Sequence, residues 1–425
     1  MGDEREFKNL PEGWKLSKVK DLFVDGRGRI ISEEEIKNKE GIYPVYSSQT
    51  SNNGELGKIN TYDFEGEFIT WTTDGANAGT VFYRNGKFNC TNVCGILKPR
   101  NENINVKFFS YLLSTIAKNY VSYIGNPKLM NSTFRDIKII HPNNYYEQSK
   151  IAEILETVDN AIEKTDKIIE KYKRIKQGLM QDLLTKGIDE NGNIRNEKTQ
   201  KFKDSPVGRI PEEWEVVRLG EVSISINYGY TQSAKEEEIG PKFLRITDIQ
   251  ENKVNWENVP YCNISYSQLS KYLLKDGDIV FARTGATTGK SYYIENPPIV
   301  VFASYLIRVR VSNKAMPKFI WIFFNSEKYW KQINLDIAGS TQEGFNASKL
   351  KKILLPLPPL PEQQRIAEIF SQIDQTIEKE EQYKEKLKRI KQGLMQDLLT
   401  GKVRVNHLVE EKENEQRYTS NLTRT

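Results

Sequence analysis

An α+β fold, built as two related blocks each followed by a long helix, is predicted by three observations on this 425-residue chain. The stretch KRIKQGLMQDLLT is written twice, at 173–185 and at 388–400. Apolar residues recur at threes and fours through both segments that end in it, a helical stripe. The regions ahead of those segments carry short β-rich runs separated by turn residues.

The repeat sets the organisation. Residues 147–185 align with 362–400 at a constant offset of 215, and 25 of the 39 positions are identical. A weaker echo precedes each half, LPEGWKL at 10–16 and IPEEWEV at 210–216. The chain therefore divides into a first block (1–146), a helical region (147–185), a linker (186–213), a second block (214–361), a second helical region (362–400) and a tail (401–425). The linker holds DENGN and KTQKFKDSPVG, polar and turn-forming, as a boundary should. The tail is expected to fray.

The first helical region has apolar residues at Ile151, Leu155, Val158, Ile162, Ile169, Tyr172, Ile175, Leu179 and Leu183. The second has Ile366, Phe370, Ile373, Ile377, Leu387, Ile390, Leu394 and Leu398. Pro361 suits a first turn, and Gly187 and Gly401 suit the stops. At 1.5 Å per residue each region makes a rod of roughly 58 Å. Such a stripe needs a partner, and the other copy is the nearest candidate. Gly178 and Gly393 fall at equivalent interior positions, where glycine lets another backbone approach closely. Ile175, Gly178, Leu179, Leu183, Ile390, Gly393, Leu394 and Leu398 are thus expected to serve partner binding or helix packing.

In the first block GIYPVYSS, GEFITWTT and GTVFYRNGKF read as strands, and NVKFFSYLLSTIAKNYVSYI reads as helix. In the second, GDIVFART, KSYYI and PIVVFASYLIRVRV read as strands, and MPKFIWIFFNSEKYWKQI as helix. The blocks correspond loosely, GEFITWTTDGANAG against GDIVFARTGATTG, which implies one scaffold with divergent loops.

Catalytic motifs fail when tested. GATTGKS at 285–291 has three residues between its glycines where a phosphate-binding loop needs four, and a strand-like run follows it. ENPPIV at 295–300 contains Asn-Pro-Pro, but Ile299 stands where an amino-methyltransferase motif needs an aromatic residue. His141 and His407 are the only histidines, and Cys90, Cys94 and Cys262 form no CxxC pair. No metal, no cofactor and no catalysis are expected. The cysteines read as reduced thiols of a cytoplasmic protein. The charged opening MGDEREFKNL argues against a cleavable leader, and no apolar run is long enough for a membrane span.

Net charge is only +5, but it is unevenly placed. Residues 14–146 hold 17 Lys/Arg against 13 Asp/Glu, and 214–361 hold 18 against 14, while each 39-residue helical region holds 7 against 8. The positive excess sits in the blocks, where a reader of a polyanion needs it. Loops there combine charge with side chains suited to base edges. DGRGRIIS offers Arg27 and Arg29, YSSQTSNNG offers Ser47, Gln49, Thr50 and Asn52, and NYGYTQSAK offers Tyr228, Tyr230, Gln232 and Lys235. The turn at 283–290 adds Arg283, Thr284 and Lys290. Arginine reads guanine with two hydrogen bonds and Asn or Gln reads adenine, while Ser, Thr and Lys serve phosphates or either base. Ordinary polar loops are the plain alternative for any one of them.

PEGW and PEEW opening the blocks, EQSKIAEIL and EQQRIAEIF opening the helices, and KRIKQGLMQDLLT closing both, resemble the specificity subunit of type I restriction–modification systems over nearly the whole chain. The resemblance implies two similar target recognition domains, joined by two long antiparallel coiled-coil-like helices in a pseudo-two-fold arrangement. Each domain would read one half of a split site on double-stranded DNA. Each helical repeat would dock one methyltransferase subunit, two in all being the expected number, and restriction subunits would join. Adenine flipping would belong to the methyltransferase. A rod of roughly 58 Å matches on the order of 17 base pairs, so helix length would set the unread spacer. Two other readings stay open: a non-catalytic scaffold that binds protein, and a methyltransferase or nuclease acting by itself.

Overall fold

A computed structural model of the chain describes residues 10–250, 253–338, 345–405 and 408; His407 and most of the tail lie outside the described residues. The chain forms two units, Met1–Lys167 with Glu381–Thr425, and Ile168–Glu380. Each long helix therefore contributes its beginning to one unit and its end to the other.

In the first unit the strands are β1 (Trp14–Lys18), β2 (Phe23–Arg27), β3 (Glu40–Tyr46), β4 (Glu55–Ile59), β5 (Phe64–Thr72), β6 (Val81–Cys90), β7 (Cys94–Pro99) and β8 (Lys138–Pro142). Six of them form one sheet in the order β2-β7-β5-β6-β3-β4, antiparallel except where β3 meets β6. β1 and β8 pair separately, Trp14 opposite Pro142. Helix α1 (Val106–Ile116) is capped by the Asn105 side chain, which accepts from the Phe108 amide at 2.9 Å. Its Val106, Phe109 and Leu113 recur at helical spacing and are buried with Phe23, Ile69 and Trp71 of the sheet.

The helix reading of the segment after Asn105 runs too far. A 3-10 turn covers Ala117–Tyr120, and the last residues of the segment form a hairpin instead, with Ser122 opposite Lys128. Helix α2 (Tyr145–Leu183) is 39 residues long and starts and stops two residues earlier than the sequence reading placed it.

The second unit repeats the plan. β9 (Glu215–Arg218) pairs with β16 (Leu354–Leu357), as β1 does with β8. β10 (Ser223–Tyr228), β15 (Leu306–Val311), β12 (Ile279–Ala282) and β13 (Ser291–Tyr293) form an antiparallel sheet in that order. β11 (Lys242–Leu244) runs parallel to β14 (Val300–Phe302). The run PIVVFASYLIRVRV is thus two strands broken at Ala303–Tyr305, not one. Its aromatic helical stretch is also two helices, α3 (Pro317–Phe323) and α4 (Glu327–Ala338). Helix α5 (Leu360–Leu398) has 39 residues, with Pro361 in the first turn where its missing N–H costs nothing.

Within the first unit the start of α2 and the end of α5 lie antiparallel: Asp159 pairs with Lys391 at 2.6 Å, and Asp166, one step further along, pairs with the earlier Lys384. Within the second, Lys176 pairs with Asp374, the same two sequence positions with the copies exchanged. The IAEI starts and QDLL ends enter the block cores. Ile151, Ala152 and Leu155 share one cluster with Leu398 and Leu399, and Ile366, Ala367 and Phe370 share another with Leu183 and Leu184.

The face assigned from sequence to packing is divided by the structure. Leu183 and Leu398 are buried, and Leu179 and Leu394 are half-buried. Ile175 and Ile390 are exposed, and among the described residues no atom beyond the helix's own backbone lies within 4 Å of a Cβ built on Gly178 or Gly393. The close backbone approach expected at these glycines is not made by the other helix. The reason is the side of the helix they occupy: each glycine lies five and six residues before the buried pair Leu183 and Leu184, or Leu398 and Leu399, which at 3.6 residues per turn places it on the opposite side.

Candidate nucleic-acid interface

One junction is built the same way in both units. In the first, β2 ends in Arg27-Gly28-Arg29, and the turn 91–94 crosses against it: the Gly28 amide donates to the Cys94 carbonyl at 3.3 Å and the Arg29 amide to the Cys90 carbonyl at 3.1 Å. In the second, Tyr228-Gly229-Tyr230 meets the turn 303–306: the Gly229 amide donates to Leu306 at 3.1 Å and the Tyr230 amide to Phe302 at 2.7 Å. A Cβ on Gly28 would lie 2.1 Å from the Cys90 carbonyl oxygen, and one on Gly229 would lie 2.2 Å from that of Ala303. Only glycine allows either contact.

A double-glycine loop joins each junction. The Thr73 amide donates to Val93 at 3.0 Å, and the Arg283 amide to Tyr305 at 3.1 Å. Gly75 and Gly79 have φ of 88° and 80°; Gly285 and Gly289 have 78° and 84°. The loop is closed identically, Gly79 amide to Thr72 carbonyl at 2.9 Å and Gly289 amide to Ala282 carbonyl at 2.8 Å. The backbone is held constant while the side chains differ: Thr73, Asp74 and Asn77 in one unit, Arg283, Thr284 and Thr287 in the other. The glycine spacing was the sequence signal for this correspondence. The crossing turns, and with them Thr91 and Tyr305, carried none.

The residues singled out from sequence fall around these junctions with different freedom. Arg27 is exposed and touches the Met130 sulfur at 3.7 Å. Arg29 is held by the protein itself, its guanidinium on Glu35 at 2.9 Å and on Asp63 at 3.0 Å. It is a brace for the loop rather than an open cation. The same contact, with help from Lys39, pulls the Glu35 carboxyl down to about 2. Truncation by Arg29→Ala should raise the Glu35 midpoint toward the ordinary glutamate value without reaching it, because Lys39 remains, in an NMR titration; an unmoved midpoint would show that the brace is not formed in solution. The sign is that of a depressed acid, so the contact stabilises above the ordinary value and fades as pH falls through about 2.

Ser47 Oγ accepts from Thr91 Oγ1 at 3.2 Å, which ties its loop to the crossing turn. Gln49 donates to the Glu55 carbonyl, and Thr50 and Asn52 are exposed, Asn52 in the left-handed region at φ 48°. Beneath this loop lies Arg84, which sequence reading missed because it sits inside a strand. It is 3% exposed, stacks 3.5 Å from the Tyr46 ring centre and donates from Nε to Thr70 at 3.1 Å. Its Nη1 has no hydrogen-bond partner among the described residues, and burial lowers its pKa.

In the second unit Arg283 lies 4.8 Å over the Tyr228 ring, so cation and aromatic are presented together. Tyr228 Oη accepts from the Ala347 amide at 3.1 Å. Tyr230 turns inward against Tyr272, ring centres 5.1 Å apart. Gln232, Lys235, Thr284 and Lys290 are exposed. Ser291 opens a strand rather than a helix, so residues 285–291 lack the helix N-terminus that a phosphate-binding loop uses.

No group of three or more His, Cys, Asp or Glu placed to hold a metal ion occurs among the described residues. Cys90, Cys94 and Cys262 are free and buried. His141 is 1% exposed, with Nδ1 2.9 Å from the Pro142 carbonyl and Nε2 3.0 Å from Ser17 Oγ; burial pushes its pKa down. No described helix is long and apolar enough to cross a membrane.

Comparison with known proteins agrees with the repeated plan. A family model described as type I restriction modification DNA specificity domain matches twice, at residues 11–173 and 211–389. The type I restriction enzyme MjaVIII specificity subunit of Methanocaldococcus jannaschii is 31% identical over 95% of this chain and 97% of its own length. A putative type I specificity subunit N-terminus from Mycoplasma pneumoniae is 52% identical over 34% of this chain and 76% of its own. The crystal structure of a type I restriction–modification S subunit from M. genitalium has the same fold, with a TM-score of 0.63 at 16% identity, covering 92% of this chain and 96% of that one.

Proposed function

Because the chain belongs to the type I restriction–modification DNA specificity family, we propose how it divides that work. It is a DNA-recognition subunit. The first unit reads one half-site through Arg27, the loop 47–53 and the loop 73–78, and the second reads the other through Tyr228, Arg283, Thr284 and Lys290. Each copy of KRIKQGLMQDLLT seats one methyltransferase subunit, two in all, and restriction subunits join that complex. The chain itself is non-catalytic. Helix length is the ruler for the unread spacer.

What carries this reading is the twice-built junction, a fixed backbone that presents Arg27 in one place and Tyr228 in the other. Reading two different words with one scaffold requires constant geometry and variable side chains, and base edges are distinguished by donor and acceptor pattern.

Mapping methylated adenines in host DNA with and without this gene tests it. The expected result is loss of a bipartite motif with a fixed gap. With the purified complex on a duplex bearing that motif, affinity should fall steeply with salt, the mark of counterion release. An unchanged methylation map, or binding indifferent to salt, would reject the assignment in favour of a protein-binding scaffold.

A further inference from the structure

The hairpin at 122–128 of the first unit presents apolar side chains where a nucleic-acid reader would meet its ligand. Its arms are locked: Ser122 and Lys128 exchange backbone hydrogen bonds at 2.8 and 2.9 Å. It is fastened to the double-glycine loop, the Gly75 amide donating to Pro127 at 3.0 Å and the Leu129 amide to Thr73 at 2.9 Å. Leu129, fully buried, anchors its base. It stands beside Arg27: Asn131 Nδ2 donates to the Gly26 carbonyl at 2.7 Å, and Arg27 touches Met130. At its tip Tyr123 is 70% exposed and Ile124 is 94% exposed, ahead of Gly125 at φ 75°.

Covering Ile124 would recover about 1.5–3 kcal/mol of burial, so the backbone-locked tip offers an occupant apolar contact. Two side chains are too few for a stable protein interface, which needs about 1,200–2,000 Å². Charge points to a polyanion. From Asn103 to Arg135 the sequence has no Asp or Glu, while Lys118, Lys128 and Arg135 lie on either side of the tip along the chain. The neighbouring Asp74 is paired with Lys128 at 3.7 Å.

We propose that Tyr123 and Ile124 form a wedge that enters duplex DNA between two base pairs, opening the stack and bending the half-site that the first unit reads. Apolar wedges of this kind cost a few kcal/mol of unstacking and regain it through added contact with bent DNA. The proposal rests on the DNA-reading assignment above and adds a positioning role to it.

The test uses the full chain assembled with its methyltransferase subunits, on duplexes carrying 2-aminopurine at successive positions of the mapped site, excluding the methylated adenine. The native complex should raise fluorescence several-fold at one step near the first half-site. The double variant Tyr123→Ser, Ile124→Ser should remove that rise and weaken binding about tenfold, with the salt slope unchanged because no phosphate contact is lost. Native mass spectrometry should find the variant's subunit composition intact. Salt-dependent binding without any fluorescent step, or with a step that survives the double substitution, would overturn the wedge and leave the DNA assignment standing. Loss of a subunit from the variant complex would make the tip a protein contact and equally overturn it. Absence of salt-dependent binding by the native complex would instead strike at the DNA assignment itself.

Discussion

Glu362→Ala should destabilise the second unit by about 3–5 kcal/mol, the usual cost of removing one partner from a buried ion pair. The Glu362 side chain is 3% exposed and gathers four donors: the Ile188 amide at 2.9 Å, Trp214 Nε1 at 3.1 Å, and both terminal nitrogens of Arg195, one of them at 3.0 Å. The Arg195 side chain is only 10% exposed. Without the carboxylate its remaining ion-pair partner is the more exposed Glu213, and the indole N–H of buried Trp214 loses its acceptor. Packing leaves no slack either, since a Cβ on Gly187, at φ 63°, would fall 2.1 Å from Glu362 Oε1. The equivalent Glu147 takes Trp14 Nε1 at 3.3 Å and Arg404 at 2.7 and 3.0 Å, but Arg404 is 26% exposed and can turn to water. Glu147→Ala should therefore cost clearly less. Urea unfolding followed by tryptophan fluorescence would separate them: the Glu362 variant should show an early transition absent from the parent. Equal and small losses, below about 1 kcal/mol, would mean these clusters are solvated like surface pairs.

These clusters explain why the motifs most legible in the sequence are where they are. The Trp of PEGW or PEEW and the Glu of EQ meet in each unit, and the adjacent Gln joins block to helix: Gln148 accepts from the Asn105 amide at 2.9 Å and Gln363 from the Met316 amide at 2.8 Å. The third member, arginine, was invisible to motif reading because it comes from elsewhere in the chain. Arg195 follows the first helix and closes the second unit; Arg404 follows the second helix and closes the first. The duplication, both helices and their stops at Gly187 and Gly401, with φ of 63° and 72°, were legible because periodicity and glycine punctuation are local signals. The break of PIVVFASYLIRVRV at Ala303–Tyr305 was not, because uniform β propensity hides a crossing turn that only the opposing strand end requires. Among the candidate readers, residue type was poor guidance to which side chain the protein itself engages. Arg29 and Arg27 look alike in sequence, yet two carboxylates brought from other elements occupy one and leave the other exposed.

Replacing Gly178 and Gly393 with glutamine together should stabilise the isolated chain and yet prevent assembly with methyltransferase subunits. An exposed helical glycine gives up about 0.8–1.0 kcal/mol relative to a good helix former, and here no packing among the described residues requires it, because beyond the helix's own backbone none of their atoms lies within 4 Å of either built Cβ. The same sacrifice is made twice, on stretches whose other exposed residues also match: Lys173, Arg174, Ile175 and Gln177 against Lys388, Arg389, Ile390 and Gln392. Burial explains Leu183, Leu184, Leu398 and Leu399, but it cannot explain identity at solvent-facing positions. A partner's backbone approaching each glycine would explain it, with Ile175 and Ile390 entering the contact. Glutamine keeps helical propensity and adds bulk without adding charge. Calorimetry of the double variant should find a higher unfolding temperature, and native mass spectrometry should find no bound methyltransferase subunit, with each single variant retaining one. Full assembly by a stabilised double variant would sever the repeat from subunit docking.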